Sequence, residues 1–197
     1  ILSDPEAAKY VWGVGFHWYE TWDGSPPMHA NVAATQQGWP GIQVLLTEAT
    51  VERFDPARLQ SWPNAERYGR QIIGDFNAGA VGWTDWNILL DETGGPNHVK
   101  NFCFAPVHAD TRDGSLHYMN SYYYIGHFSK YIKPGAKRIA CSSSRAQLQA
   151  TAFKNPDGQL VVVVMNQGDT EVSFRLYLDT QAAETLSLPH SIMTFIL

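Results

Sequence analysis

The stretch His29 to Glu48, HANVAATQQGWPGIQVLLTE, carries the fold assignment. His29 to Gln37 has helical composition, and Trp39, Pro40 and Gly41 stop it. The run Ile42 to Leu46 is short, apolar and valine/leucine-rich, as a buried strand is, and it ends on Thr47 and Glu48. Helix, turn and strand within so few residues is one step of an alternating α/β chain.

Working outward, the same grammar repeats. Upstream, Val11 to Tyr19 reads as a strand and Glu20 to Pro27, with its glycine and two prolines, as a loop. The opening Ile1 to Tyr10 reads as the end of a helix, with Ser3 or Asp4 as cap and Pro5 in the first helical position. Downstream, Tyr68, Ile72, Ile73 and Phe76 lie on one face of a helix over Asn64 to Ala78, and Ala80 to Leu90 reads as a further strand. Strands alternating with helices of this length imply parallel βαβ units covered on both faces.

A loop rich in glycine, proline and asparagine follows from Asp91 to about Pro106, then a helix over Leu116 to Tyr131 that stops at Pro134 and Gly135. Beyond Lys137 the pattern becomes all-β. Strand-like runs occur at Arg138 to Ser142, Gln147 to Lys154, Gln159 to Asn166, Glu171 to Leu178 and His190 to Leu197. Asn155-Pro-Asp-Gly158 and Asn166 to Asp169 supply turn signals between them. This part reads as a small antiparallel domain or sandwich.

Composition narrows the function classes. The formal charge of -5 is mild and unsegregated, which speaks against nucleic acid as a partner. No apolar run approaches the roughly 18 to 20 residues of a membrane span, so the chain reads as soluble and not membrane-spanning. Cys103 and Cys141 are either a disulfide or two free, buried thiols, which leaves the compartment open. Seven tryptophans are enough to line a sugar site, although large aromatics also fill cores.

Glu48 ends a buried strand, and the C-terminal edge of a parallel barrel is where catalytic groups sit. The strand before it ends in Phe16, His17, Trp18 and Tyr19; the strand after it carries Trp83, Thr84, Asp85, Trp86 and Asn87. Aromatic planes, a phenol and amides beside a carboxylate are the equipment of a pyranoside site. Taken singly each has a plainer reading: Glu48 in a solvated loop, His17 as a core histidine, Trp83 on a barrel exterior, Asp85 as a cap.

The segments DPEAAKYVWGVGFHWY, LLTEAT, VGWTDWNILLDETGGPN with Asn101 and Phe102 after it, GHFSKYI, and NPDGQLVVVVMNQ together resemble glycoside hydrolase family 30, closest to its glucosylceramidase branch. They occur in the family's order and span nearly the whole chain. The resemblance implies an α/β fold: the C-terminal portion of a (β/α)8 TIM barrel over residues 1–134, with strands six, seven and eight at Val11 to Tyr19, Ile42 to Glu48 and Ala80 to Leu90. An antiparallel β-sandwich over residues 135–197 follows.

It further implies a retaining β-glycosidase with Glu48 as nucleophile, Tyr19 as the phenol bonded to it, and His17 and Trp18 as the neighbouring wall. Trp86 would contact the sugar, and Asn101 and Phe102 would rim the pocket. No metal or other cofactor is implied. The implied substrate is a β-glucoside or glycosphingolipid such as glucosylceramide, and a secreted or lysosome-like compartment is favoured. Thr50 stands where the lysosomal members carry cysteine, Cys103 directly follows the Asn-Phe pair, and the loop Glu20 to Pro27 differs in composition, so the aglycone is open.

Retaining hydrolysis needs a second carboxyl group, roughly 5 to 5.5 Å from the first. In the resembled family it is a Glu on strand four, which has no counterpart here; Glu20, Glu52 and Asp85 read as structural or solvated. A barrel takes about 250 residues, so a complementary N-terminal chain or segment is expected to complete it, and these residues alone are expected to be inactive. A different reading of the same residues is a carbohydrate-binding or interaction fragment that holds glycan without cleaving it; an isomerase-type barrel lacks support from any phosphate loop or metal cluster.

Overall fold

The computed structural model describes residues 1–22 and 24–197; position 23, within the expected loop Glu20 to Pro27, lies outside the described residues. The chain divides into two compact units, Ile1–Gln60 with Gly74–Met119, and Ser61–Ile73 with Asn120–Leu197.

In the first unit, a short helix α1 (Pro5–Ala8) starts at Asp4, whose carboxylate accepts the amides of Glu6 and Ala7. Strand β1 (Gly13–His17), helix α2 (His29–Gly38) and strand β2 (Gln43–Glu48) follow, as the helix–turn–strand grammar requires. Two-residue β3 (Val51–Glu52) precedes helix α3 (Trp62–Asn77), whose last turn, from Gly74, belongs to this unit, and then β4 (Gly82–Trp83). β1, β2 and β4 form a parallel sheet in that order, so their C-terminal ends share one edge. Val44 and Leu46 are buried and Thr47 is exposed, the alternation of a strand with one covered face.

The expected strand Ala80 to Leu90 is two strands. Only Gly82–Trp83 joins the parallel sheet; the chain then leaves the ladder through Thr84 to Ile88, and β5 (Leu89–Asp91) pairs instead with β7 (Val107–Ala109). Between them, β6 (Cys103–Phe104) pairs with β3 inside what composition suggested was loop. β8 (Leu116–Tyr118) runs antiparallel to β7, and the helix expected from Leu116 starts only at Asn120. In both places backbone pairing with a distant strand overrides local composition.

The second unit takes the α3 residues Trp62–Ile73, in which Tyr68, Ile72 and Ile73 are buried as their spacing required. After helix α4 (Asn120–Ser129) come β9 (Lys137–Ile139), β10 (Leu148–Lys154), β11 (Leu160–Asn166), β12 (Val172–Leu178), β13 (Gln181–Ser187) and β14 (Ser191–Ile196). All pairings are antiparallel, in a sheet ordered β14-β11-β10-β9 and a hairpin β12-β13. Leu148, Ala152, Val162 and Val164 pack with Val172, Phe174 and Leu176 of the hairpin, forming the apolar middle of a sandwich. Val161, Val163 and Met165, on the other face of β11, are fully buried as well, which accounts for the unbroken valine run.

Strand β13 is absent from the expected set. Its sequence, QAAETLS, has little β-propensity, and it is held by register with β12 across the turn at Asp179 and Thr180, and by the Arg175–Glu184 ion pair. Cys103 and Cys141 are free thiols, the first buried and the second half-buried. Among the described residues no helix is long and apolar enough to cross a membrane.

Candidate active site

The sheet edge where β1 and β2 end holds the carboxylate. The β1–β2 ladder pairs Phe16 with Leu46 and His17 with Glu48, so Thr47 is an extra residue: a β-bulge. The register shift falls at the strand end, at the step that brings Glu48 opposite His17. Just past β1 the chain turns through a single 3-10 turn, Tyr19–Thr21. That turn brings the Tyr19 phenol to Glu48, where Oη donates to Oε1 at 2.7 Å.

The phenol is a secure donor. Burial, its hydrogen bond to Glu48 and the charges of Glu48, Cys103 and Asp85 all push its ionisation far above the ordinary tyrosine range, so the hydroxyl keeps its proton at every pH of interest. The His17 ring stands edge-on to it at 5.5 Å, and Trp22 tilts against its other side at 4.7 Å. His17 is exposed and Glu48 half-buried. Carboxylate, donor and open aromatic faces are thus together.

Trp18 is the exception among the expected wall residues. It has no exposed surface; its indole Nε1–H donates to the Thr50 carbonyl at 3.0 Å and its ring packs edge-to-face on Trp83, 5.7 Å between centroids. It lies in the core between the Thr50 carbonyl and the Trp83 ring, away from the exposed His17 ring. Thr50, in turn, donates its hydroxyl to the Phe104 carbonyl at 3.1 Å, joining the segment after Glu48 to β6.

Trp86 is 39% exposed and is fixed by its backbone, which donates to the Ala49 carbonyl at 2.8 Å. Asn101 and Phe102 are exposed residues of a stapled loop. The Asp91 carboxylate accepts from the Thr93 amide and hydroxyl and the Gly95 amide. The Asn97 carboxamide oxygen accepts from Val99 and Asn101 amides, and Phe54 N–H bonds the Phe102 carbonyl. Gly94 has φ +79°, and a Cβ there would lie 2.5 Å from Phe54 and 2.7 Å from the Cys103 carbonyl, so this position of the GGPN turn admits only glycine. Burial raises the Asp91 carboxyl, but the Thr93 and Gly95 bonds outweigh it and hold the group below its ordinary value.

Of the other carboxylates, Glu20 accepts the Met28 amide, Glu52 lies in β3, and Asp85 is close enough for its charge to act on the Tyr19 phenol. His108 is buried and kept neutral by burial, donating from Nδ1 to the Asp91 carbonyl and accepting at Nε2 from Ala105. Among the described residues no cluster of His, Cys, Asp or Glu is arranged to hold a metal ion.

One group escaped the sequence reading: Asp75, fully buried, with His29 Nδ1 at 3.0 Å from one carboxylate oxygen and Trp83 Nε1–H at 3.2 Å from the other. Its signal was available, since Asp75 falls three residues after Ile72 on the apolar face of α3, where a charge demands partners.

Residues 1–132 match the Glycosyl hydrolase family 30 TIM-barrel domain, and residues 135–195 match the Glycosyl hydrolase family 30 beta sandwich domain. The chain belongs to glycoside hydrolase family 30. Its fold is accordingly the C-terminal part of the family 30 barrel followed by the family's β-sandwich. Among family relatives, the chain is 37% identical to the lysosomal acid glucosylceramidase of Mus musculus, over 100% of its own length and 39% of that protein's. It is 32% identical to putative glucosylceramidase 4 of Caenorhabditis elegans, again over its full length and 39% of the relative. The crystal structure of SrfJ from Salmonella typhimurium superposes with a TM-score of 0.93 at 32% identity, covering 100% of this chain and 43% of that one. The chain therefore spans about two fifths of the length of the family 30 relatives it matches.

Proposed function

We propose that this chain is the nucleophile-bearing part of a retaining β-glycosidase. The observation that carries the reading is the 2.7 Å hydrogen bond from Tyr19 to Glu48 at the C-terminal edge of a parallel sheet. An ionised carboxylate oriented by a neutral donor is a competent nucleophile for a sugar's anomeric carbon. A Glu48 oxygen bonds that carbon as the glycosidic C–O bond breaks, while a second carboxylic acid protonates the departing aglycone oxygen. Water, deprotonated by that same second carboxylate, then displaces Glu48 and restores the original anomeric configuration.

His17, Trp86, Asn101 and Phe102 surround the sugar in this reading, and Trp18 supports them from behind. Residues 1–134 supply barrel and 135–197 sandwich. The second carboxyl group and the remaining barrel strands come from polypeptide outside these residues, consistent with the share of the relatives that the chain spans. Similarity to glucosylceramidases favours a β-glucoside, glucosylceramide among them, as substrate.

The test is covalent capture. Incubating the completed enzyme with a 2-deoxy-2-fluoro-β-glucoside should label the peptide containing Glu48, and Glu48→Gln should abolish both labelling and hydrolysis. A protein that binds glycan without becoming labelled is a lectin-like fragment, and that result overturns the proposal.

A further inference from the structure

Asp75 is a fully buried carboxylate far along the chain from Glu48, and a buried charge is retained only when it is held by good partners. One of its oxygens lies 3.0 Å from His29 Nδ1, and the other accepts the Trp83 indole N–H at 3.2 Å. The arrangement is sterically exclusive. Gly74 lies directly under the His29 ring, and a Cβ there would come within 2.1 Å of His29 Nε2, so helix α3 can present Asp75 to His29 only because residue 74 has no side chain.

What the Trp83 bond fixes is more than one side chain. Trp83 ends β4, and its ring stands edge-to-face on Trp18. Trp18 is clamped at its other end by its bond to Thr50, two residues after Glu48, and it is also the residue immediately before Tyr19. Asp75, Trp83, Trp18 and Thr50 thus form a continuous series whose Trp18–Thr50 end adjoins Tyr19 and Glu48 along the chain.

We infer that Asp75 is a positioning residue for the Tyr19–Glu48 hydrogen bond, acting through the Trp83 and Trp18 indoles; this rests on the reading of Glu48 as nucleophile. A donor shifted by a few tenths of an ångström, or through tens of degrees, loses much of its bond energy. The step most exposed to that loss is hydrolysis of the glycosyl-enzyme, in which negative charge returns to the Glu48 carboxylate and a hydrogen-bond donor stabilises it.

The readout is the first-order decay of the fluoroglycosyl-enzyme after excess reagent is removed, measured on the completed enzyme. This rate belongs to each labelled molecule and is unaffected by the fraction that folds. Asp75→Leu should lengthen the adduct lifetime about three- to tenfold, a part of what outright removal of a charge-assisted bond costs. Asp75→Asn can accept from Trp83 and, with His29 in its Nε2–H tautomer, donate to His29 Nδ1, and should restore a wild-type lifetime. In the double variant with Tyr19→Phe, Asp75→Leu should add little, because the bond it acts on is already gone.

Should Asp75→Leu fail to fold, Trp83→Phe removes the indole donor and part of the ring that packs on Trp18 while keeping Asp75, and should move the lifetime in the same direction. An unchanged lifetime in whichever of these variants folds, or full additivity with Tyr19→Phe, overturns the inference and leaves Asp75 with a purely structural role. A wild-type enzyme that forms no adduct on Glu48 would instead overturn the nucleophile reading beneath it, so the two failures are distinguishable.

Discussion

Replacing Tyr19 with phenylalanine removes one atom from the site and isolates the bond at its centre. The ring keeps its edge contact with His17 and its tilted contact with Trp22, so the shape of the wall is preserved. What is lost is a 2.7 Å hydrogen bond to a carboxylate, and bonds to charged groups contribute about 1.5 to 3 kcal/mol. Glu48 is only half-buried, which favours the lower half of that range. In the proposed mechanism the carboxylate is neutralised as the glycosyl-enzyme forms and regenerated as it hydrolyses. The donor therefore assists the second step, where charge builds on the leaving carboxylate, and gives the first step little beyond orientation. About 1.5 to 2.2 kcal/mol converts to a roughly 10- to 40-fold slower deglycosylation. Stopped-flow measurement with an aryl β-glucoside carrying a good leaving group should show a burst of phenolate followed by a slow steady state, with a KM that falls alongside kcat because the intermediate accumulates. An unchanged adduct lifetime, or a variant that slows only the burst, would refute the reasoning.

Other consequences can be checked without substrate. Gly94→Ala combines a left-handed backbone with an overlap against Phe54 and the Cys103 carbonyl, and should destabilise the fold by about 2 to 4 kcal/mol in urea titration; a loss under about 1 kcal/mol would mean the turn relaxes freely. His190 bridges Glu66 at 2.7 Å and Asp169 at 2.9 Å, and those bonds raise its ionisation above the ordinary histidine value. Stability from this bridge is fully present below about pH 6.5, the unfolded value, and is lost as pH rises through the folded one. Burial lowers His108 and His127, which gives the opposite slope near the same pH, so the quantity to follow is the wild-type minus His190→Gln difference in urea midpoint; it should shrink as pH rises, and a pH-independent difference would count against the bridge.

How much of this was legible in the sequence differs by element, and the reason is physical. The three parallel strands were legible because Ile42 to Leu46 and its neighbours are apolar runs bounded by strong stops, and the valine run of β11 because both its faces are covered. β13 was not, since QAAETLS becomes a strand only through its register with β12. The break after Trp83 was hidden for a related reason: Thr84 to Asn87 are acceptable strand residues, and backbone bonds from Thr84 to Leu46 and from Trp86 to Ala49 still hold them beside β2, so the ladder ends without a stop in the sequence. Trp18 is buried while His17 beside it is exposed; local sequence cannot tell which of three consecutive aromatics points into the core.

The carboxylate itself shows the limit most sharply. A strand of period two, read forward from Val44 and Leu46, assigns Glu48 to the face of those two residues but does not say what it meets at the strand end. Its bond to Tyr19 forms just where the β1–β2 register shifts by one residue, at Thr47. Nothing in the residue types of LLTEAT announces that slip, because a bulge is a property of two strands and the energy that selects it comes from their ladder and from what lies behind them. The support behind them is the Trp18–Trp83–Asp75 series, whose members lie on β1's end, β4's end and α3. The position of Glu48 and the surroundings of Asp75 are thus set by the same tertiary arrangement, which is why a periodic reading finds the strand and leaves the aim of its last residue to the fold.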